Sequence, residues 1–107
     1  MTITGKDFSA TIRQPQGLAI IDLHGEINAF AEATIGEAYE QAVANDPATV
    51  ILNFSDVSYI NSTGIALIVG LLAKARAIHL PLTAVGLSDH YREIFTITRL
   101  SDFIEIA

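Results

Sequence analysis

The sequence contains no cysteine. That absence excludes disulfides, thiolate metal sites and thiol nucleophiles together, and it fits a reducing cytoplasm. Cations are scarce: six Lys and Arg stand against twelve Asp and Glu, for a formal net charge of -6. The chain as a whole lacks the basic field that nucleic acid or anionic lipid binding requires, so a protein partner or a small ligand is expected instead. No run is apolar for the ~20 residues a membrane span needs. The longest uncharged stretch, Val57 to Ala73, is interrupted by Asn61, Ser62, Thr63 and two glycines. The N-terminus "MTITGKDFSATI" has no basic region followed by an apolar core and a small-residue cleavage site, so no signal peptide is read and a cytoplasmic location is expected.

What is present is apolar and ordered. Half the residues are hydrophobic and 17% are charged, a balance that argues against disorder. The 107 residues suit a single domain spanning 1–107, large enough for one core. Internal repeats, low-complexity tracts and linkers are absent.

The pattern along the chain alternates. Phe8 to Arg13 and Leu18 to Leu23 read as strands of an N-terminal hairpin around the turn chemistry of "QPQG". Ala29 to Ala44 is rich in helix formers, with Asn28 as N-cap and Phe30, Ala33, Ala38 and Val43 available for a buried stripe. Val50 to Phe54 is a short apolar run of the kind found in a central parallel strand. A helix follows over about Thr63 to Ile78, with Ile65, Ile68, Leu71, Leu72 and Ala75 at helical spacing and Lys74 and Arg76 near its carboxyl end. Leu82 to Val85 then reads as a strand, Ser88 onward as a short helix capped by Ser88 or Asp89, and Phe103 to Ile106 as a final strand. The expected fold is an α/β sandwich: a mixed, mostly parallel sheet of four to five strands packed by three to four helices. Sites in such sheets gather beyond the carboxyl ends of the parallel strands, where Asp56 to Gly64 falls.

The polar cluster Asn61-Ser62-Thr63-Gly64 therefore draws attention. Ser62 or Asn61 is placed to cap the helix it opens, and a hydroxyl there is also a tolerated position for a phosphate of about -1.5 to -2 charge. Gly64 is a poor helix former near a helix start, which suggests close approach to its backbone.

The run "VILNFSDVSYINSTGIALI" resembles the signature of the STAS domain family, of the anti-sigma factor antagonist type, in which a strand, an Asp-(Val/Leu)-Ser turn and a D-S-[ST]-G tetrapeptide open the second helix. "LHGEIN" is similar to the family's G-E-L-D motif, and "GLSDHYREIFTITRLSDFIEI" resembles its closing helix and strand. The resemblance implies a STAS-type sandwich and a regulatory binding protein without catalysis, metal or cofactor. It implies that Ser62, with Thr63 as the second choice, accepts a phosphate. It implies a docking face around Asn28, Ser58, Asn61, Ser62, Thr63 and Gly64. The implied partners are an anti-sigma factor that is also a serine kinase of the histidine-kinase-like ATPase fold, bound while Ser62 is unmodified, and a Ser/Thr phosphatase that resets the switch. The sequence departs from the pattern at Asn28 and Asn61, where the motifs carry Asp; each change keeps size and hydrogen-bonding capacity and deletes a charge. The alternative is a STAS scaffold or ligand-binding module in a signalling or transport assembly, without a phosphoswitch.

Other arrangements carry less. Asp56 and Ser58 are read as turn-forming residues. His24, His79 and His90 have no ligand spacing, so no metal site is expected. A Ser-His-Asp triad through Ser62 lacks a G-x-S-x-G elbow, and no phosphate-binding glycine loop is present.

Overall fold

The structure is a computed structural model that describes residues 1–107. Six strands form one sheet in the order of the sequence: β1 (Thr2–Thr4), β2 (Phe8–Arg13), β3 (Leu18–Ile27), β4 (Thr49–Ile60), β5 (Leu82–Val85) and β6 (Glu105–Ile106). β1, β2 and β3 are antiparallel, while β3 through β6 are parallel. The connections hold α1 (Glu32–Val43), α2 (Ser62–Ala77) and α3 (Asp89–Ile97), with 3-10 turns at Ala29–Ala31 and Leu100–Asp102.

Parallel neighbours need crossovers, and crossovers are right-handed. Here the three crossovers step across the sheet in one direction, so all three helices fall on the same face. The burial alternation agrees. Ala10, Ile12, Ile21, Leu23, Val50, Leu52, Leu82 and Ala84 point into the core, and their neighbours Thr11, Ile20, Asp22, Ile51, Asn53 and Thr83 are only half-buried on the other face. Each large side chain shut away on the helix-covered face contributes roughly 1.5–3 kcal/mol. Phe95 of α3 meets Phe54 edge-on at 5.9 Å and anchors the last helix over β4.

Several boundaries differ from the sequence reading. The sheet has six strands because the chain begins with a three-residue edge strand, too short to display an alternation. β3 continues past His24 and Gly25 to Ile27, because β4 continues beside it to Ile60; the expected loop from Asp56 is strand through Ile60. Two register shifts, between Asp22 and His24 and between Gly25 and Glu26, each give β4 one extra residue. The first reverses which side of the strand faces the core and the second restores it, so Ser55 to Tyr59 breaks the pattern that Ile60 resumes. Asp56 and Ser58 are accordingly strand residues, not turn caps, and Asp56 Oδ2 lies 3.2 Å from His24 Nδ1 across the pair. In α1 the buried stripe is Thr34, Ile35, Ala38, Tyr39 and Ala42, preceded by Ala31 in the 3-10 turn. Of the expected stripe Ala38 is buried and Val43 half-buried, while Phe30 and Ala33 face outward because the 3-10 turn offsets the helix start. β6 is confined to Glu105–Ile106, the turn at Leu100–Asp102 and the bend after it taking up the residues before it.

The uncovered face carries a polar chain across three strands. Arg13 donates to Asp22 through Nε at 2.6 Å and Nη2 at 3.0 Å, Asn53 Nδ2 donates to Asp22 Oδ1 at 2.8 Å, and Ser55 Oγ donates to Asn53 Oδ1 at 2.7 Å. The Arg13 bonds hold the Asp22 carboxyl below its ordinary range, against a smaller upward push from burial. A carboxylate with a lowered folded-state pKa stabilises above its unfolded value and loses that contribution as pH falls through the folded one. Acid unfolding of the wild type should therefore show a contribution below about pH 4 that is missing in Asp22→Asn; parallel urea midpoints across this range would reject the idea.

Candidate functional site

The site lies where β3 and β4 end together. Their pairing runs to Ile27 opposite Ile60, and the Asn61 amide extends it by donating to the Ile27 carbonyl at 3.2 Å. Each strand then turns into a helical segment through an asparagine. Asn28 Oδ1 accepts from the Phe30 amide at 2.9 Å, and Asn61 Oδ1 accepts from the Gly64 amide at 2.8 Å. Both asparagines have extended backbones, the geometry of an N-cap. The two asparagines are thus both caps, a role that Asn fills as well as Asp.

Gly64 is buried, and the close approach it permits is internal. A methyl group on Gly64 would overlap the Ile27 carbonyl oxygen and lie 2.8 Å from the carbonyl carbon and 2.9 Å from Ile60 Cγ2. The start of α2 is pressed onto the end of β3, and only glycine lets it sit there. From the far side, the Ile60 amide donates to the Tyr91 hydroxyl of α3 at 2.8 Å. β5 ends its pairing at Val85 opposite Asn53, so a side chain replaces the missing neighbour strand at Ile60.

The hydroxyls divide from the cap. Asn61 alone caps α2, leaving Ser62 at the first helical position, exposed beside exposed Thr63. No side-chain hydrogen bond engages either hydroxyl, and no acidic residue lies in the first turn of α2. First-turn amides have no carbonyl partner within the helix, which together with the helix dipole favours an anion on this end. The sequence-predicted residues Asn28, Asn61, Ser62 and Thr63 come together on one rim, with Gly64 beneath it. Ser58 is exposed on the same extension of β4, at the second register shift. Sequence reasoning missed two exposed aromatics beside these residues: Phe30, 61% exposed and covered by Lys6 Nζ at 4.3 Å, and Tyr59, 53% exposed. Phe30 follows a cap by two positions and reads as helix core; Tyr59 directly follows the second of two bulges that no periodicity reveals. The structure contains no cluster of three or more His, Asp or Glu side chains placed to hold a metal ion, and no helix long and apolar enough to cross a membrane.

Comparison with known proteins assigns the fold. The family model described as "STAS domain" matches residues 9–107. This chain belongs to the STAS domain family. An anti-sigma-B factor antagonist of Listeria monocytogenes is 37% identical over 82 residues, covering 77% of this chain and 72% of that protein. Among solved structures, an anti-sigma factor antagonist from Mycobacterium paratuberculosis superposes with a TM-score of 0.77 at 17% identity, over 92% of this chain and 84% of that one. The Bacillus cell fate determinant SpoIIAA in its phosphorylated form superposes with a TM-score of 0.65 at 22% identity, over 92% and 90% of the two chains.

Three substitutions separate the cap from the close contact. Asn61→Ala should cost about 1 kcal/mol and Asn61→Asp only a few tenths. Gly64→Ala should lose roughly 1–3 kcal/mol to overpacking, because the obstructing atoms are backbone, despite a gain of up to about 1 kcal/mol in helix propensity. Urea midpoints measure all three, and a stable Gly64→Ala would contradict the geometry.

Proposed function

We propose that this STAS domain is an anti-sigma factor antagonist that works by partner switching. Unmodified, it binds an anti-sigma factor through the rim formed by Asn28, Ser58, Asn61, Ser62 and Thr63, with Gly64 setting the rim's position from below. The anti-sigma factor is also a serine kinase of the histidine-kinase-like ATPase fold, and it ends the complex by phosphorylating Ser62. A Ser/Thr phosphatase restores binding. The domain itself binds and is modified; it catalyses nothing.

The observation that carries this reading is the free hydroxyl of Ser62 at the first position of a helix already capped by Asn61. Because the cap is made by a neighbour, a phosphate on Ser62 breaks no bond of the fold. It meets free amides and the positive end of the helix dipole, so the modified domain stays folded. At an interface the same group brings like-charge repulsion and a desolvation cost that a contact of modest affinity does not survive. The switch therefore resides in the complex, and the free domain needs no rearrangement. The 37% identity to an anti-sigma-B factor antagonist supports the assignment of partner class.

Incubation with the cognate kinase and ATP should add one phosphate to the wild type and none to Ser62→Ala, read by intact mass. Phosphate retained in Ser62→Ala would move the acceptor to Thr63 or elsewhere. Ser62→Ala should keep its affinity for the anti-sigma factor within about threefold, and Ser62→Glu should weaken it by about tenfold or more.

A further inference from the structure

Far from Ser62, the carboxyl half of α2 forms one wall of a groove whose other wall is the segment from Thr98 to Phe103. The groove encloses about 380 Å³, within the range of small-molecule sites. Val69, Leu72, Leu100 and Phe103 give it apolar walls, and Arg76 and Arg99 are its only charged lining residues. Val69 is 44% exposed and Phe103 54%, so the apolar surface is open to solvent.

The charges make this groove unlike the rest of the molecule. The chain carries only six Lys and Arg against twelve Asp and Glu, yet two of the six meet here with no carboxylate in the lining. Arg13 is paired with Asp22, Arg99 with Asp102 at 3.0 Å, and Arg92 Nη1 donates to the Ala107 carbonyl at 3.4 Å. Arg76 has no oxygen partner in the fold. Its guanidinium lies over the Phe103 ring, 4.8 Å from the centroid, a contact that leaves its N–H groups free. A planar guanidinium without an oxygen partner, beside an apolar floor, fits a carboxylate attached to a hydrocarbon body.

We propose that this groove binds a small anionic amphiphile, a single-chain carboxylate whose apolar body lies along Val69, Leu72 and Leu100 and whose head group is held by Arg76, with Arg99 beside it. Arg76 stands in the last turn of α2. The carbonyl end of that helix repels an anion at close range, so the guanidinium must supply the attraction and the test turns on it. The site is independent of the Ser62 rim, at the other end of the same helix, and its occupancy does not depend on phosphorylation.

Dodecanoate below its critical micelle concentration is the probe, titrated into the full chain by calorimetry and amide NMR. The expected result is saturable one-to-one binding with shifts confined to α2 from Val69 onward and to residues 98–103. Dodecyltrimethylammonium, with the same tail and opposite charge, should bind about tenfold more weakly or worse. Arg76→Gln should weaken dodecanoate about tenfold, in keeping with the loss of a charge-assisted hydrogen bond, and Ala73→Trp should block the groove from its rim. Both variants replace exposed residues, and unchanged circular dichroism would show them folded. Absence of saturable binding, equal affinity for the two amphiphiles, or undiminished binding in Arg76→Gln would overturn the proposal. So would concentration-dependent self-association of the free chain that buries Val69 and Phe103.

Discussion

The backbone contact between Gly64 and the Ile27 carbonyl sets the position of everything near the rim. It fixes how far α2 descends onto the end of β3, and hence where the first turn of that helix faces solvent. The paired ends of β3 and β4 supply a rigid base for it. Tyr91 braces that base from α3, reaching the Ile60 amide where β5 has already stopped. A residue with any side chain at position 64 would lift the helix start, and the Asn61 bond to the Gly64 amide would have to follow.

On that base, capping and exposure are assigned to separate residues. Asn61 satisfies a first-turn amide, so the hydroxyls of Ser62 and Thr63 have no structural duty. The same separation means that an amide is sufficient at both helix starts. Asn28 and Asn61 each supply the acceptor oxygen that the helical start needs, and neither carries a charge. The two caps therefore add no charge to the rim, within a chain that is acidic overall.

Much of this was legible in the sequence because local preference and global fold agree. β-branched runs marked β3, β4 and β5, helix formers marked α1 and α2, and Ser88 announced α3 where the structure has it capping Tyr91. The motif around Ser62 pointed to this helix start through family resemblance, which spacing alone did not specify. The errors have a common cause in irregular backbone. The paired bulges of β4 hide its last residues from a period-two reading, so a strand passed for a loop and Asp56 for a turn residue. The 3-10 turn after Asn28 rotates the start of α1, so Phe30 passed for core. Gly64 was recognised as answering a close approach, but the approaching group proved to be the chain's own carbonyl.

The monotone strand order has a kinetic consequence as well. Every strand pairs with its neighbour in sequence, and the side-chain link between Asp22 and Asn53, bridging one β-α-β unit, spans 31 residues. No strand has to wait for a distant end of the chain before it finds its place. The entropy of closing each loop grows only slowly with its length, so each unit adds to the previous one at a similar and moderate cost. A sheet assembled this way can grow from hairpin to last edge in the order in which the residues are synthesised.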